Sequence, residues 1–184
     1  MSSAPSPQTE ATHPHVGGEW DDESMSLSAA SAAMVGREAE STVLRGLFDR
    51  VVEGVPRAAL IEGEAGIGKS RLLREFGSEV VDRADVHVGW CLDLGESRTP
   101  FGPITGILRS IVALMGADRV RDELGVGAEA LGMLLPELTP TDRSQTSPDR
   151  LRDAIASLIE AAAELAPQVL VVEDLHWADE STLA

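Results

Sequence analysis

Apolar residues in this chain fall into blocks that switch between helical and strand periods. Val43, Leu44, Leu47, Phe48, Val51 and Val52 recur at helical spacing as one continuous apolar face, which Gly54 and Pro56 close. Arg57 to Glu62, with Ala58-Ala59-Leu60-Ile61 at its centre, predicts a short buried strand, and Leu72, Leu73, Phe76 and Val80 return to the helical period. Val86-His87-Val88-Gly89-Trp90-Cys91 alternates as a second strand with Gly89 as its weak position. His87 and Cys91 share a face of that strand and, with no further ligands at hand, read as packing residues. Arg98-Thr99-Pro100-Phe101-Gly102-Pro103 then breaks the chain, and Ile104, Ile107, Leu108, Ile111, Val112 and Met115 form a further helical core stripe.

Asp118 to Leu138 is less regular, with Gly125, Gly127 and Gly132 weakening any helix and Leu134-Leu135-Pro136-Glu137-Leu138 closing it, followed by an exposed loop from Leu138 to Pro148. A strong start signal comes next. Ser147 is placed as N-cap, Pro148 at the first helical position and Asp149 in the first turn of a long helix through Leu151, Ala154, Ile155, Leu158, Ile159, Ala162 and Leu165. Pro167 ends it, and Gln168-Val169-Leu170-Val171-Val172 forms an apolar strand that terminates in the carboxylates of Glu173 and Asp174. The alternation of strands and helices predicts an α/β fold, a parallel sheet with flanking helices.

Composition narrows the function classes. The 184 residues suit one domain, and a hydrophobic fraction of 43% supports a sizeable core. A net charge of −16, from 31 acidic against 15 basic side chains, argues against a nucleic-acid surface. No apolar run approaches a membrane-spanning length, and the first residues lack the basic start and apolar stretch of a secretory signal. Cys91 is the single cysteine, so a reducing, cytoplasmic compartment is expected. Residues 1–33 have the composition of a disordered acidic tail: they hold no Lys or Arg and carry Glu10, Glu19, Asp21, Asp22 and Glu23. His13 and His15 read as solvated tail residues, and Trp20 as a docking handle. Residues 34–184 form the ordered domain in this reading.

The chemistry is concentrated at the only lysine. Gly63-Glu64-Ala65-Gly66-Ile67-Gly68-Lys69-Ser70 is a complete G-x-x-x-x-G-K-[ST] string, which arises by chance in roughly one chain of this size in a hundred. Gly66 and Gly68 admit backbone conformations closed to other residues, so successive N–H groups can point at phosphate oxygens. Lys69 reaches the β- and γ-phosphates, and the Ser70 hydroxyl is offered to Mg²⁺. The loop opens a helix whose N-terminal dipole favours an anion, with Arg71 in its first turn. About a hundred residues later, the acidic strand end has the form of a Walker B element, because Mg²⁺ on the β- and γ-phosphates needs a carboxylate opposite the loop. The second carboxylate can orient or deprotonate the attacking water. Two assignments are open: Glu173 on the metal with Asp174 on the nucleophile, or both roles displaced by one.

Four strings together carry a resemblance: Val35-Gly36-Arg37-Glu38, the P-loop, Pro100-Phe101-Gly102-Pro103, and Glu173-Asp174-Leu175-His176-Trp177-Ala178-Asp179. The segment from Met34 to Ala184 resembles the nucleotide-binding domain of AAA-related signal-transducing ATPases with numerous domains, as in the large ATP-binding regulators of the LuxR family. The resemblance implies a P-loop NTPase fold of the AAA-like kind, with five parallel strands in the order 5-1-4-3-2, and a cytoplasmic ATP-operated switch with slow hydrolysis. It places Val35, Gly36 and Arg37 near the adenine. It makes ATP and Mg²⁺ the ligands, puts any DNA-binding module elsewhere in the protein, and allows nucleotide-dependent self-association. His176 and Trp177 read as structural residues, and Asp179 as the cap of a helix through Glu180 to Leu183. Strands four and five of that order would follow Ala184, so the expectation is an incomplete domain, truncated after the Walker B strand and marginal in stability. A small-molecule kinase and an inactive interaction fragment are the competing readings.

Overall fold

A computed structural model describes residues 36–91, 101–138, 146–178 and 182. The first element is helix α1 (Glu38–Val52), whose first turn carries Glu38 and Glu40 and whose last turn carries Arg50, charges that complement the helix dipole. Helix α2 (Lys69–Val80) packs on it. Leu44 and Phe48 of α1 meet Leu72, Phe76 and Val80 of α2 and the nearby Ala84, with the Phe48 and Phe76 rings edge to face at 6.2 Å. Burying each such side chain contributes roughly 1.5–3 kcal/mol. The face is narrower than its period suggests: Val43 is 61% exposed and Val52 46%. Outside this core, Arg45 grips Glu79 with two hydrogen bonds of 2.7 and 2.8 Å, and the Arg83 guanidinium lies 4.9 Å from the Phe48 ring centre.

Strands β1 (Asp85–Trp90) and β2 (Gln168–Glu173) pair in parallel, in register from Asp85 with Gln168 to Trp90 with Glu173. Backbone bonds from Asp85 to Pro167 (2.9 Å) and from Cys91 to Glu173 (3.1 Å) flank the ladder. Side chains alternate across the sheet. Val86 and Val169 lie under the α1/α2 core, and Val172 packs on the opposite side against the larger helical core.

That larger core comes from the crossover between the strands, as parallel pairing requires. It contains α3 (Gly102–Met115), α4 (Ala117–Leu124), α5 (Val126–Leu131) and α6 (Pro148–Ala163), joined through Ile107, Leu108, Ile111, Val120, Leu131, Leu135 and Leu158. Asp118 to Leu138, where the glycines were expected to weaken any helix, is largely helical. The glycines punctuate the region: Gly125 stands between α4 and α5, and Gly132 follows α5. Tertiary burial of Val120, Ala128, Ala130 and Leu131 outweighs the low helix propensity of so short a segment. The predicted cap of α6 is present, with the Ser147 hydroxyl accepting from the Arg150 amide at 3.3 Å. Most of the loop expected between Leu138 and Pro148 lies outside the described residues.

The strand expected at Arg57 to Glu62 does not form. The run has no regular secondary structure and joins no ladder among the described residues, Leu60 is 69% exposed, and only Ile61 reaches the α1/α2 core. Its residues line the same groove as β2. Strand geometry is stabilised by pairing, and this run has no paired neighbour. The adjacency of β1 and β2 agrees with the expected order, in which the strand after the P-loop lies beside the acidic strand.

Candidate functional site

The groove between the 57–63 run and β2 has a volume of about 650 Å³. Gly63, Lys69 and Ser70 line it from the loop, and Glu173, Asp174 and His176 line it from the end of β2 and the turn that follows. Helices α1 and α2 contribute Leu44, Phe48, Leu73 and Phe76 to the lining. The loop and the acidic strand end, about a hundred residues apart in sequence, therefore line one cleft.

Local backbone geometry explains the loop wall. Gly66 and Gly68 sit at φ 78° and 93°, in the left-handed region open to glycine at little cost, and Gly68 is the residue from which α2 starts. The Lys69 ammonium donates to the carbonyls of Gly63 at 3.0 Å and Glu64 at 3.1 Å, which folds the side chain back over the loop. Arg71, in the first turn of α2, pairs with Glu75 at 2.9 Å along the exposed helix face.

The acidic wall divides its two carboxylates. Glu173 is the last residue of β2 and is buried, on the same face of the strand as Val169 and Val171, the side on which α1 and α2 lie. Asp174 lies just past the strand, exposed, with φ 58° and ψ 42°. An aspartate held in the left-handed region stores roughly 1–3 kcal/mol of strain, a feature concentrated at functional sites. A single 3₁₀ turn, Leu175–Trp177, follows, closed by the Trp177 amide donating to the Asp174 carbonyl at 2.8 Å. The His176 and Trp177 rings lie 5.0 Å apart. The proposed cap at Asp179 lies outside the described residues.

Of the three residues that the resemblance places near an adenine, Val35 lies outside the described residues. Gly36 adopts φ 85° and donates its amide to Glu38 Oε1 at 3.3 Å. The contact that sequence reading missed belongs to Arg37. Its Nη2 donates to the Ile67 carbonyl at 3.0 Å, and its Nη1 pairs with Glu40 at 2.6 Å. The Glu40 amide, and after it the Arg37 guanidinium, hold the Glu40 carboxyl below its ordinary range. No spacing rule links positions thirty residues apart, so sequence offered no signal for the Arg37 to Ile67 bond.

His87 is a buried structural residue. Its Nδ1 lies 2.8 Å from Ser110 Oγ and its Nε2 2.9 Å from Gln168 Oε1. Burial pushes its pKa down, opposed by the Gln168 hydrogen bond and the Asp85 charge. Cys91 is buried as well, in keeping with its reading as a packing residue.

The donor chemistry fits a magnesium polyphosphate. Ser70, Glu173 and Asp174, which line the groove, carry hard oxygen atoms of the kind Mg²⁺ accepts, and no group of three or more His, Cys, Asp or Glu that could hold a metal occurs among the described residues. A cation here would depend on phosphate oxygens for much of its shell, as Mg²⁺ does in nucleotide sites.

The family described as AAA ATPase domain matches residues 33–184. An uncharacterized protein of Rhizobium meliloti (strain 1021) is 29% identical over 164 residues, covering 79% of this chain and 16% of its own length. The chain thus spans about a sixth of the relative it matches. No solved structure matches it.

Proposed function

The chain belongs to the AAA ATPase domain family, and on that premise we propose that it is the Mg-ATP-binding module of a transcriptional or signalling regulator, hydrolysing ATP slowly within the whole protein. The observation that carries this reading is that Lys69, Ser70, Glu173 and Asp174 all line one groove. The loop backbone from Gly63 to Ser70 cradles the phosphates, with Arg71 beside it, and Lys69 leaves its two carbonyl partners to meet the β- and γ-oxygens. Ser70 and Glu173 would hold Mg²⁺, which would supply positive charge to offset the negative charge of the phosphates. Asp174 orients the attacking water. Its place beyond the strand end and its exposure favour that division of roles over one displaced by a residue.

The Val35-Gly36-Arg37-Glu38 and His176-Trp177-Ala178-Asp179 strings support membership of the signal-transducing, LuxR-type regulators within the wider family. The proposal assigns no nucleic-acid contact and no membrane contact to these residues and places them in the cytoplasm, with self-association controlled by the bound nucleotide. No helix among the described residues is long and apolar enough to cross a membrane.

Phosphate release from MgATP tests the reading. Slow release that needs no added acceptor, and that falls at least about tenfold in Glu173→Gln and Asp174→Asn while nucleotide binding is retained, is the expected outcome. Release that appears only with a small-molecule acceptor would make the protein a kinase instead.

A further inference from the structure

The Arg37 side chain reaches from the start of α1 to the middle of the P-loop, and the bond it makes there is to backbone. Its Nη2 donates to the Ile67 carbonyl at 3.0 Å, while Glu40, one turn along α1, receives Nη1 at 2.6 Å. Ile67 sits between Gly66 and Gly68, both in the left-handed region. Glycines on either side leave the intervening peptide units easy to rotate. The loop's own hold on Ile67 is weak, a backbone bond of 3.4 Å from the Ile67 amide to the Glu64 carbonyl.

The Ile67 carbonyl and the Gly68 N–H belong to one peptide unit. In a planar trans peptide, with no cis bond in the described chain, these two groups point in opposite directions. Whatever pins the carbonyl therefore aims the N–H. We propose that Arg37, oriented by Glu40, is a positioning residue for phosphate binding: by tethering the Ile67 carbonyl it turns the Gly68 N–H away from α1 and toward the anion. This rests on the reading of the loop as a nucleotide site, and it gives Arg37 a role that acts through the loop backbone and not through the base. The arrangement needs a guanidinium, since one planar group serves the carbonyl and the carboxylate at once, whereas a lysine ammonium lacks that fixed fork.

The test compares MgATP with magnesium tripolyphosphate, which has the phosphates and no base. Each displaces a fluorescent ATP analogue from the full 184-residue chain, in the wild type and in Arg37→Ala, Arg37→Lys and Glu40→Gln, with thermal midpoints recorded alongside. Arg37→Ala is expected to weaken both ligands by the same factor, about tenfold, as loss of a charge-assisted hydrogen bond implies. Arg37→Lys, which keeps one donor, recovers part of that loss, and Glu40→Gln loses a smaller factor. A loss confined to MgATP would overturn the proposal in favour of a base contact. Unchanged affinities in both arginine variants would overturn it outright, and so would losses that merely track a lowered midpoint. Failure of the wild type to bind either ligand would remove the nucleotide reading itself, whereas wild-type binding with indifferent variants would remove only the role of Arg37.

Discussion

His87 Nε2 lies 2.9 Å from Gln168 Oε1, so a buried imidazole ties β1 to β2 at the end of the sheet remote from Glu173. The Gln168 amide nitrogen continues the network to Asp85 at 3.1 Å and to the carbonyls of Ala162 and Ala166 at 3.2 and 2.9 Å. With the Gln168 oxygen accepting, His87 donates from Nε2 and accepts the Ser110 hydroxyl proton at Nδ1.

This network predicts a pH-dependent stability. Burial lowers the folded pKa of His87, so between the folded and unfolded values the unfolded chain binds more protons. The stability contribution is complete above the unfolded imidazole value of about 6.5 and is lost as pH falls through the folded value. Denaturant midpoints of the wild type should fall more steeply than those of His87→Gln as pH drops from about 7.5 to 5. Equal slopes would show that His87 is not the group responsible.

Gly89 predicts a packing limit. A Cβ added there would lie 2.4 Å from the Pro103 carbonyl oxygen and 2.9 Å from its carbon, both backbone atoms at the start of α3. Helix α3 approaches β1 too closely for any side chain at that position. Gly89→Ala should lower stability by about 1–3 kcal/mol despite the better strand propensity of alanine, read as a lower thermal midpoint. An unchanged or raised midpoint would mean that α3 can shift at no cost.

Asp174 predicts a trade between stability and chemistry. Its left-handed backbone is strained for aspartate and open to glycine. Asp174→Gly should therefore leave the thermal midpoint equal or higher while phosphate release is lost. A variant less stable than the wild type would show that the Asp174 carboxylate holds the fold rather than serving the reaction.

Sequence pattern revealed most of the helices and both sheet strands because their apolar periods are long and their end signals local. The Ser147 cap, the Gly68 start of α2 and the carboxylates closing β2 are all short-range features. What sequence missed depends on neighbours. Arg57 to Glu62 has the composition of a buried strand, but pairing, not composition, makes a strand, and none reaches it among the described residues. The helices α4 and α5 exist because Val120 and Leu131 are buried against α3 and α6, which outweighs the glycine spacing. Motif spacing singled out the loop and the acidic pair, which line one groove, whereas the Arg37 to Ile67 bond and the close contact of Gly89 with Pro103 follow from three-dimensional approach alone.

The central claim, that Lys69 serves a magnesium nucleotide in this groove, is tested most directly by the shift in thermal midpoint on adding MgATP to the wild type and to Lys69→Ala. A ligand that binds only the folded chain at a hundred times its Kd adds about 2.7 kcal/mol of stability. The wild type should show a saturable rise in midpoint that depends on Mg²⁺ and vanishes in Lys69→Ala. No rise in the wild type, or an equal rise in both chains, would contradict the account.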